Sequence, residues 1–171
     1  MLQDLSLYML PALLIVAAAS DVMSFRIPNW LTLLTAILFF PMALATHMPM
    51  HEFAMHLLAG AILFVVGFVF FQVGIFGGGD AKLMAAAGLW FGTAQVLPFL
   101  FLTVLAGGAL AIAVGLWSAL MISWEIEGDS APLPGLGAKL RRLNVSVPYG
   151  FAFALGGIIA FKGTWWTNGL S

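Results

Sequence analysis

The sequence predicts an all-α, polytopic integral membrane protein, a bundle of six transmembrane helices in which the fourth helix is short. Composition is the first observation: 63% of the 171 residues are hydrophobic and only 8% are charged, whereas soluble domains carry roughly 25% charged residues. The second observation is the alternation of long apolar runs with short breaks that contain Pro, Gly or polar residues. A run of about 20 apolar residues spans a hydrocarbon core of roughly 30 Å. Together these observations exclude an ordinary soluble domain.

Each predicted span is bounded by a break in the apolar pattern. Pro28 disfavours helical geometry at Ile27, and Asn29 is a preferred cap for the helix that follows. Six helices are expected, at residues 5–21, 30–45, 53–73, 81–91, 95–122 and 148–166. The fourth covers only ~18 Å, so we expect its ends in a locally thinned membrane or a water-filled recess. Trp165 and Trp166 are expected at the membrane interface.

The chain is expected to form a single transmembrane domain, 1–171, with one long polar loop at about 123–147. The first run has a small-residue segment at 17–20 that is similar to a signal cleavage site. A secretory signal would begin with positive charge, whereas the one charged residue before this run is Asp4. We therefore expect the first run to be a retained membrane span.

Charge and cysteine content exclude several function classes. The formal net charge of -1 leaves no basic surface for nucleic acid. With no cysteine, the chain has no disulfide, no thiolate metal site and no cysteine nucleophile. His47, His51 and Glu52 lie in one predicted turn, but they are too few, and too far from the other acids, for a metal site. We expect no metal and no cofactor.

The distribution of basic residues predicts the orientation. Loops on one side of the predicted bundle contain five of the six basic residues, and Lys162 is the exception. The five are Arg26, Lys82, Lys139, Arg141 and Arg142. By the positive-inside rule this side is cytoplasmic and both termini lie outside. The same topology, which rests on the basic residues alone, places Asp21 and Asp80 at one cytoplasmic depth.

Paired carboxylates at one depth suggest acid–base chemistry. Asp80 follows Gly77-Gly78-Gly79 and could simply cap a helix, but an ionisable residue at membrane depth is a functional candidate. Two nearby carboxyls do not ionise together easily, so one holds a proton while the other stays charged. The ionised group can then activate water against a peptide carbonyl, and the protonated group can stabilise the carbonyl oxygen. Ser20 is a weaker candidate, because no predicted cytoplasmic loop holds a His to activate it.

Three motifs carry a family resemblance. Asp21 precedes Arg-Ile-Pro-Asn-Trp-Leu-Thr at 26–32, Phe-Gly-Gly-Gly-Asp-Ala-Lys-Leu occupies 76–83, and Val-Pro-Tyr-Gly occupies 147–150. In this order they resemble type IV prepilin peptidases of the Gly-x-Gly-Asp aspartyl protease group. The resemblance implies that Asp21 and Asp80 are the catalytic pair. Gly77 and Gly79 are expected to shape the site, and Lys82 either does so as well or only sets the topology.

The resemblance also implies the substrate and its location. The substrates would be pilin-like precursors, cut after a glycine that separates a short basic leader from a hydrophobic helix, at the cytoplasmic face of a bacterial inner membrane. Longer members of the family add a cysteine-bearing region linked to N-methylation, which has no counterpart here, so methyltransferase activity is not implied. The chain resembles the short form associated with tight-adherence, or Flp-type, pili. Archaeal preflagellin peptidases are also similar, so the precursor stays open.

Two other functions remain as alternatives. A small proton or cation transporter could use Asp21, Lys82 and Asp80 as a relay, but a relay needs polar groups at several depths, and the third and fifth predicted helices have almost none. A noncatalytic membrane subunit of a secretion system is the second alternative, and it would be favoured if the two carboxylates were far apart. The sequence does not determine the oligomeric state. The lipid bilayer and a precursor peptide are the expected partners.

Overall fold

A computed structural model describes residues 2–126 and 149–168, and every regular element in these ranges is a helix. The predicted all-α class is therefore confirmed. The helices in chain order are α1 Leu2–Ser24, α2 Asn29–Ala45, α3 Met50–Gln72, α4 Gly78–Ile126, α5 Tyr149–Phe161 and α6 Trp165–Asn168. Most of the predicted loop at 123–147 lies outside the described residues, and its first positions extend α4.

Hydropathy and helix length identify the molecule as a membrane protein. Three stretches are long and apolar enough to cross a bilayer: Leu5–Ser24 in α1, Met50–Gln72 in α3 and Gly78–Trp117 in α4. Helices α2 and α5 are shorter apolar helices. Helix α4 packs along both α3 and α5, and α1 packs against α5. Large apolar side chains such as Phe64 and Phe101 remain exposed, as expected for a surface that faces lipid.

Helix α4 is broken at Gly92, which divides it into a first arm, residues 78–91, and a second arm, residues 93–126. Gly92 has φ 62° and ψ 171°, a backbone conformation essentially restricted to glycine. The first arm is about 21 Å long, so it does not cross the hydrocarbon core. The break confirms the predicted short fourth helix. It also separates that helix from the predicted fifth, although no loop lies between the two.

Two side chains from other helices bond to backbone carbonyls next to the break. Nδ1 of His56 lies 2.6 Å from the carbonyl oxygen of Leu89. Because a carbonyl only accepts hydrogen bonds, Nδ1 is the protonated nitrogen. Nε1 of Trp166 donates to the carbonyl oxygen of Trp90 at 2.8 Å. Carbonyls released at a helix end need partners, and lipid provides none, so α3 and α6 supply them.

The prediction for the last span is wrong about where the helix ends and about the position of Trp166. Helix α5 ends at Phe161 rather than at 166, because a turn closed by the N–H of Gly163 and the carbonyl of Ala160 interrupts it. Trp166 was expected at the membrane interface, but it is fully buried, with its ring centroid 5.1 Å from that of Trp90. Its indole N–H explains the difference, since it bonds inside the bundle at the break in α4.

We predict that Gly92→Ala destabilises the fold by roughly 1–3 kcal/mol, because a Cβ at this φ is strained. The new Cβ would also lie 2.8 Å from Nε2 of His56. The measurement is the free energy of unfolding in detergent. Gly108→Ala is the matched control, since its Cβ would meet no atom within 4 Å and Ala favours a helix by about 0.5–1 kcal/mol. Equal stability of the two variants would contradict the account of the break.

Candidate active site

The ends of two helices place the two aspartates beside each other. Asp21 lies in the last turn of α1 and is 5% exposed, and Asp80 lies in the first turn of α4 and is half-buried. The segments that flank them are in contact: Ile27, just after α1, packs on Gly79, which directly precedes Asp80. The structure thus brings together two acids that are 59 positions apart in the sequence, on one side of the bundle.

Asp21 is held by the start of α5. The backbone N–H of Gly150, the second residue of α5, donates to Oδ2 of Asp21 at 2.7 Å in a buried position. The first N–H groups of a helix have no partner within it, so they are available to a carboxylate. A Cβ at position 150 would lie 2.8 Å from Cβ and 2.9 Å from Oδ2 of Asp21. Only glycine therefore lets the backbone approach this closely.

Asp80 is held less completely. The N–H of Gly77, just before α4, donates to Oδ2 of Asp80 at 3.2 Å. Oδ1 is buried and has no hydrogen-bond partner among the described residues. A buried oxygen without a partner is costly in a folded protein, and such atoms are found at sites that bind a proton, a water or a ligand. Oδ1 of Asp80 therefore remains free to bond a proton, a water or a ligand.

The turn between α1 and α2 packs directly on the glycine run. A Cβ at Gly79 would lie 3.0 Å from the carbonyl oxygen and 3.1 Å from Cβ of Ile27, which is buried. The hydroxyl of Ser20 donates to the carbonyl of Arg26 at 3.0 Å, and the hydroxyl of Ser24 lies within hydrogen-bond distance of the carbonyls of both Ser20 and Arg26, at 2.7 and 3.2 Å. Ser20 therefore braces this turn, which fixes the end of α1 relative to the first turn of α4.

An aromatic contact connects the two segments whose backbone N–H groups bond the aspartates. The ring centroids of Phe76 and Tyr149 lie 5.4 Å apart, and each residue directly precedes one of the donors, Gly77 and Gly150. Residues 76 and 149–150 belong to the sequence motifs, but their spacing of more than 70 residues gave no sign of this contact. The sequence reasoning assigned no role to Phe76, Tyr149 or Gly150.

Lys82 is exposed and bonds to the first residue of α2 rather than to the acids. Its Nζ donates to Oδ1 of Asn29 at 2.9 Å. Residues two apart on a helix do not face each other, so Lys82 and Asp80 lie on different faces of α4. The predicted capping role of Asn29 is wrong: the N-cap of α2 is Pro28, with no side-chain cap, and Asn29 is the first helical residue.

The His-containing turn lies at the other end of the bundle. His51 and Glu52 belong to the first turn of α3, whereas the aspartates lie near the level where α3 ends. A cavity of about 480 Å³ is lined there by His51, Glu52, His56 and Gln95, among others. In the described ranges, no three His, Asp or Glu residues are grouped so that they could hold a metal ion.

The chain matches a known protein family. The model of the type IV leader peptidase family matches residues 8–112. This range includes Asp21, the glycine run, Asp80 and Lys82, and it ends before Gly150. Searches of the curated proteins and of the solved structures gave no match.

We predict that Gly150→Ala and a substitution at position 21 are coupled energetically. In the native background the new Cβ displaces the Asp21 side chain, whereas with Asp21→Gly the displaced atoms are gone. A double-mutant cycle should give a coupling energy of about 0.5–3 kcal/mol, the usual range for residues in contact. The measurement is the free energy of unfolding of the four proteins in detergent. Additive effects would show that Gly150 does not contact Asp21.

Proposed function

The chain belongs to the type IV leader peptidase family, and we propose that it is a membrane aspartyl endopeptidase that uses Asp21, Asp80 and a water molecule. The observation that carries this proposal is the convergence of the two carboxyls: a backbone N–H bonds one oxygen of Asp21, and one buried oxygen of Asp80 has no hydrogen-bond partner among the described residues. This arrangement suits a water-activating acid pair, which is what an aspartyl peptidase needs.

In the proposed reaction one carboxyl is protonated and the other ionised, because two like charges at short range do not both form readily. The ionised carboxylate takes a proton from water as the water oxygen attacks the carbonyl carbon of the peptide bond. The protonated carboxyl donates a hydrogen bond to the carbonyl oxygen, where negative charge develops. The carboxyl that took the proton from water then gives it to the amide nitrogen as the C–N bond breaks, so that the products are a leader with a new carboxyl group and a mature chain with a new amine.

In this proposal Gly77, Gly79 and Lys82 shape the site without taking part in bond breaking. Gly77 provides the N–H that orients Asp80, and Gly79 allows the Ile27 turn to pack against α4. Lys82 fastens α4 to the beginning of α2 through Asn29. These contacts set the separation of the two carboxyls, which a general base and a general acid must keep within reach of one peptide bond.

We infer that the substrates are type IV or Flp-type prepilins, cut between a short basic leader and a hydrophobic helix. An acidic pair near the membrane surface attracts a basic leader, and a membrane-embedded site receives the helix. Arg26 and Lys82 lie at the same end of the bundle as the aspartates, and Lys162 lies at the other end. The positive-inside rule then orients the site to the cytoplasm, with both termini outside, in a bacterial inner membrane.

We predict that Asp21→Asn and Asp80→Asn each lower prepilin cleavage by about 100-fold or more, because removing a general acid or base costs this much. Each substitution keeps the size of the side chain and removes its ability to exchange a proton. The assay is co-expression with a type IV prepilin, followed by measurement of the precursor and mature forms by their size.

Glu52→Gln is the matched control. It makes the same carboxyl-to-amide change in the first turn of α3, at the end of the bundle opposite to the aspartates, and should leave cleavage unchanged. Wild-type cleavage by either Asn variant would exclude the paired-aspartate mechanism. Proton or cation flux through the reconstituted protein, without any precursor cleavage, would favour a transporter.

A further inference from the structure

An open groove of about 750 Å³ runs along the surface of the bundle between α2, α3 and the first arm of α4. Each helix lines it with one face over about two turns, at residues 29–36, 60–65 and 82–89. Neither aspartate lines the groove, so it is separate from the acid pair. It is nonetheless close to the pair, because Lys82 at one end of the groove is only about 3 Å along the helix axis from Asp80.

The lining of the groove suits a helix. Its surface includes Ala36, Ala61, Ala85 and Ala86, which let another backbone approach closely. Leu33, Phe64 and Val65 at its edges are 58–60% exposed, so the groove opens sideways toward the hydrocarbon of the bilayer. A hydrophobic helix could therefore enter it from the membrane without crossing water.

The polarity of the groove changes along its length. Lys82 is the charged residue in its described lining, and it lies with Asn29 at the end nearest the aspartates, while the lining beyond them is almost entirely apolar. A polar segment followed by an apolar helix matches this gradient. Only the apolar helix fits inside the groove, because the positive charge of Lys82 repels a basic leader and so leaves the leader outside, on the side of the acid pair.

The glycine run gives a route from the groove to the acids. Lys82 and Asp80 lie on different faces of α4, so a bound chain must pass around the beginning of this helix to reach Asp80. Gly77, Gly78 and Gly79 form that beginning and are exposed or half-exposed. The Ile27 turn packs on Gly79, so the path runs over Gly77 and Gly78, which carry no side chains to close it.

We propose that this groove, defined by the faces at 29–36, 60–65 and 82–89, is the docking site for the hydrophobic helix of the precursor. The proposal rests on the proposed function, since it supplies the way in which that peptidase holds its substrate and sets the position of the cut. A phospholipid acyl chain is the competing occupant, and it is an outcome of the test.

Disulfide crosslinking tests the proposal directly, because the chain has no cysteine of its own. Ala61→Cys places a single thiol on the exposed lining of the groove. Combined with Asp80→Asn, it should crosslink under mild oxidation to single cysteines in the first turns of the apolar helix of a type IV prepilin, with a helical periodicity. Ala12→Cys is the matched control, an exposed alanine of α1 outside the groove, and it should give no crosslink.

A kinetic experiment separates docking from chemistry. Ala61→Leu fills the groove, and kcat/KM for the full prepilin should fall about tenfold, mainly through a higher KM, while cleavage of a short peptide without the apolar helix stays within about twofold. Ala12→Leu should match the wild type on both substrates.

Several results would overturn the proposal. Equal crosslinking from positions 12 and 61, or crosslinks without helical periodicity, would show that the apolar helix does not lie in the groove. Equal losses of kcat/KM on both substrates with Ala61→Leu, if they depend on phospholipid composition, would mean that the groove holds lipid. If the wild type cleaves neither substrate, the proposed function fails; if it cleaves both and Ala61→Cys does not crosslink, only the docking site fails.

Discussion

The structure depends on the requirement that backbone polar groups be satisfied where lipid offers no hydrogen bonds. Helix α4 breaks at Gly92, and side chains of His56 and Trp166 bond to the carbonyls of Leu89 and Trp90 beside the break. The break ends the first arm after about 21 Å, which sets how far Asp80 lies from the opposite end of the bundle. A buried histidine and a buried tryptophan, far from the acid pair, thus support the helix that carries Asp80.

The acid pair is built at helix ends for a related reason. A carboxylate within an apolar bundle needs donors, and unpaired backbone N–H groups occur at helix N-termini. The start of α5 provides the N–H of Gly150 for Asp21, and the segment before α4 provides the N–H of Gly77 for Asp80. Contacts between Phe76 and Tyr149, and between Gly79 and Ile27, hold these ends together. Three helix termini therefore meet at one point and create a polar site in a largely apolar protein.

The chain has few charged residues, and those of the first arm of α4 lie on two different faces of that helix. The acids of the pair are buried or half-buried on the inner face of the bundle, whereas Lys82 lies on another face, bonded to Asn29 at the end of an apolar groove. In the proposed peptidase the first arm of α4 serves both surfaces: one face presents Asp80 to the peptide bond and the other contacts the hydrophobic helix. Its glycine-rich start connects them.

The sequence by itself determined the all-α membrane class, the short fourth helix and the candidate acids, because these follow from hydropathy, run length and a local glycine–aspartate pattern. Several contacts could not be read from it. Asn29 bonds to Lys82 instead of capping α2, Trp166 is buried instead of interfacial, and Gly150 is the donor to Asp21. Each depends on partners between 53 and 129 residues away, and the sequence pattern carries no information about which helix ends meet. Only the packing of the helices decided those pairings, since a hydrogen bond inside lipid forms with whichever group the tertiary structure brings within reach.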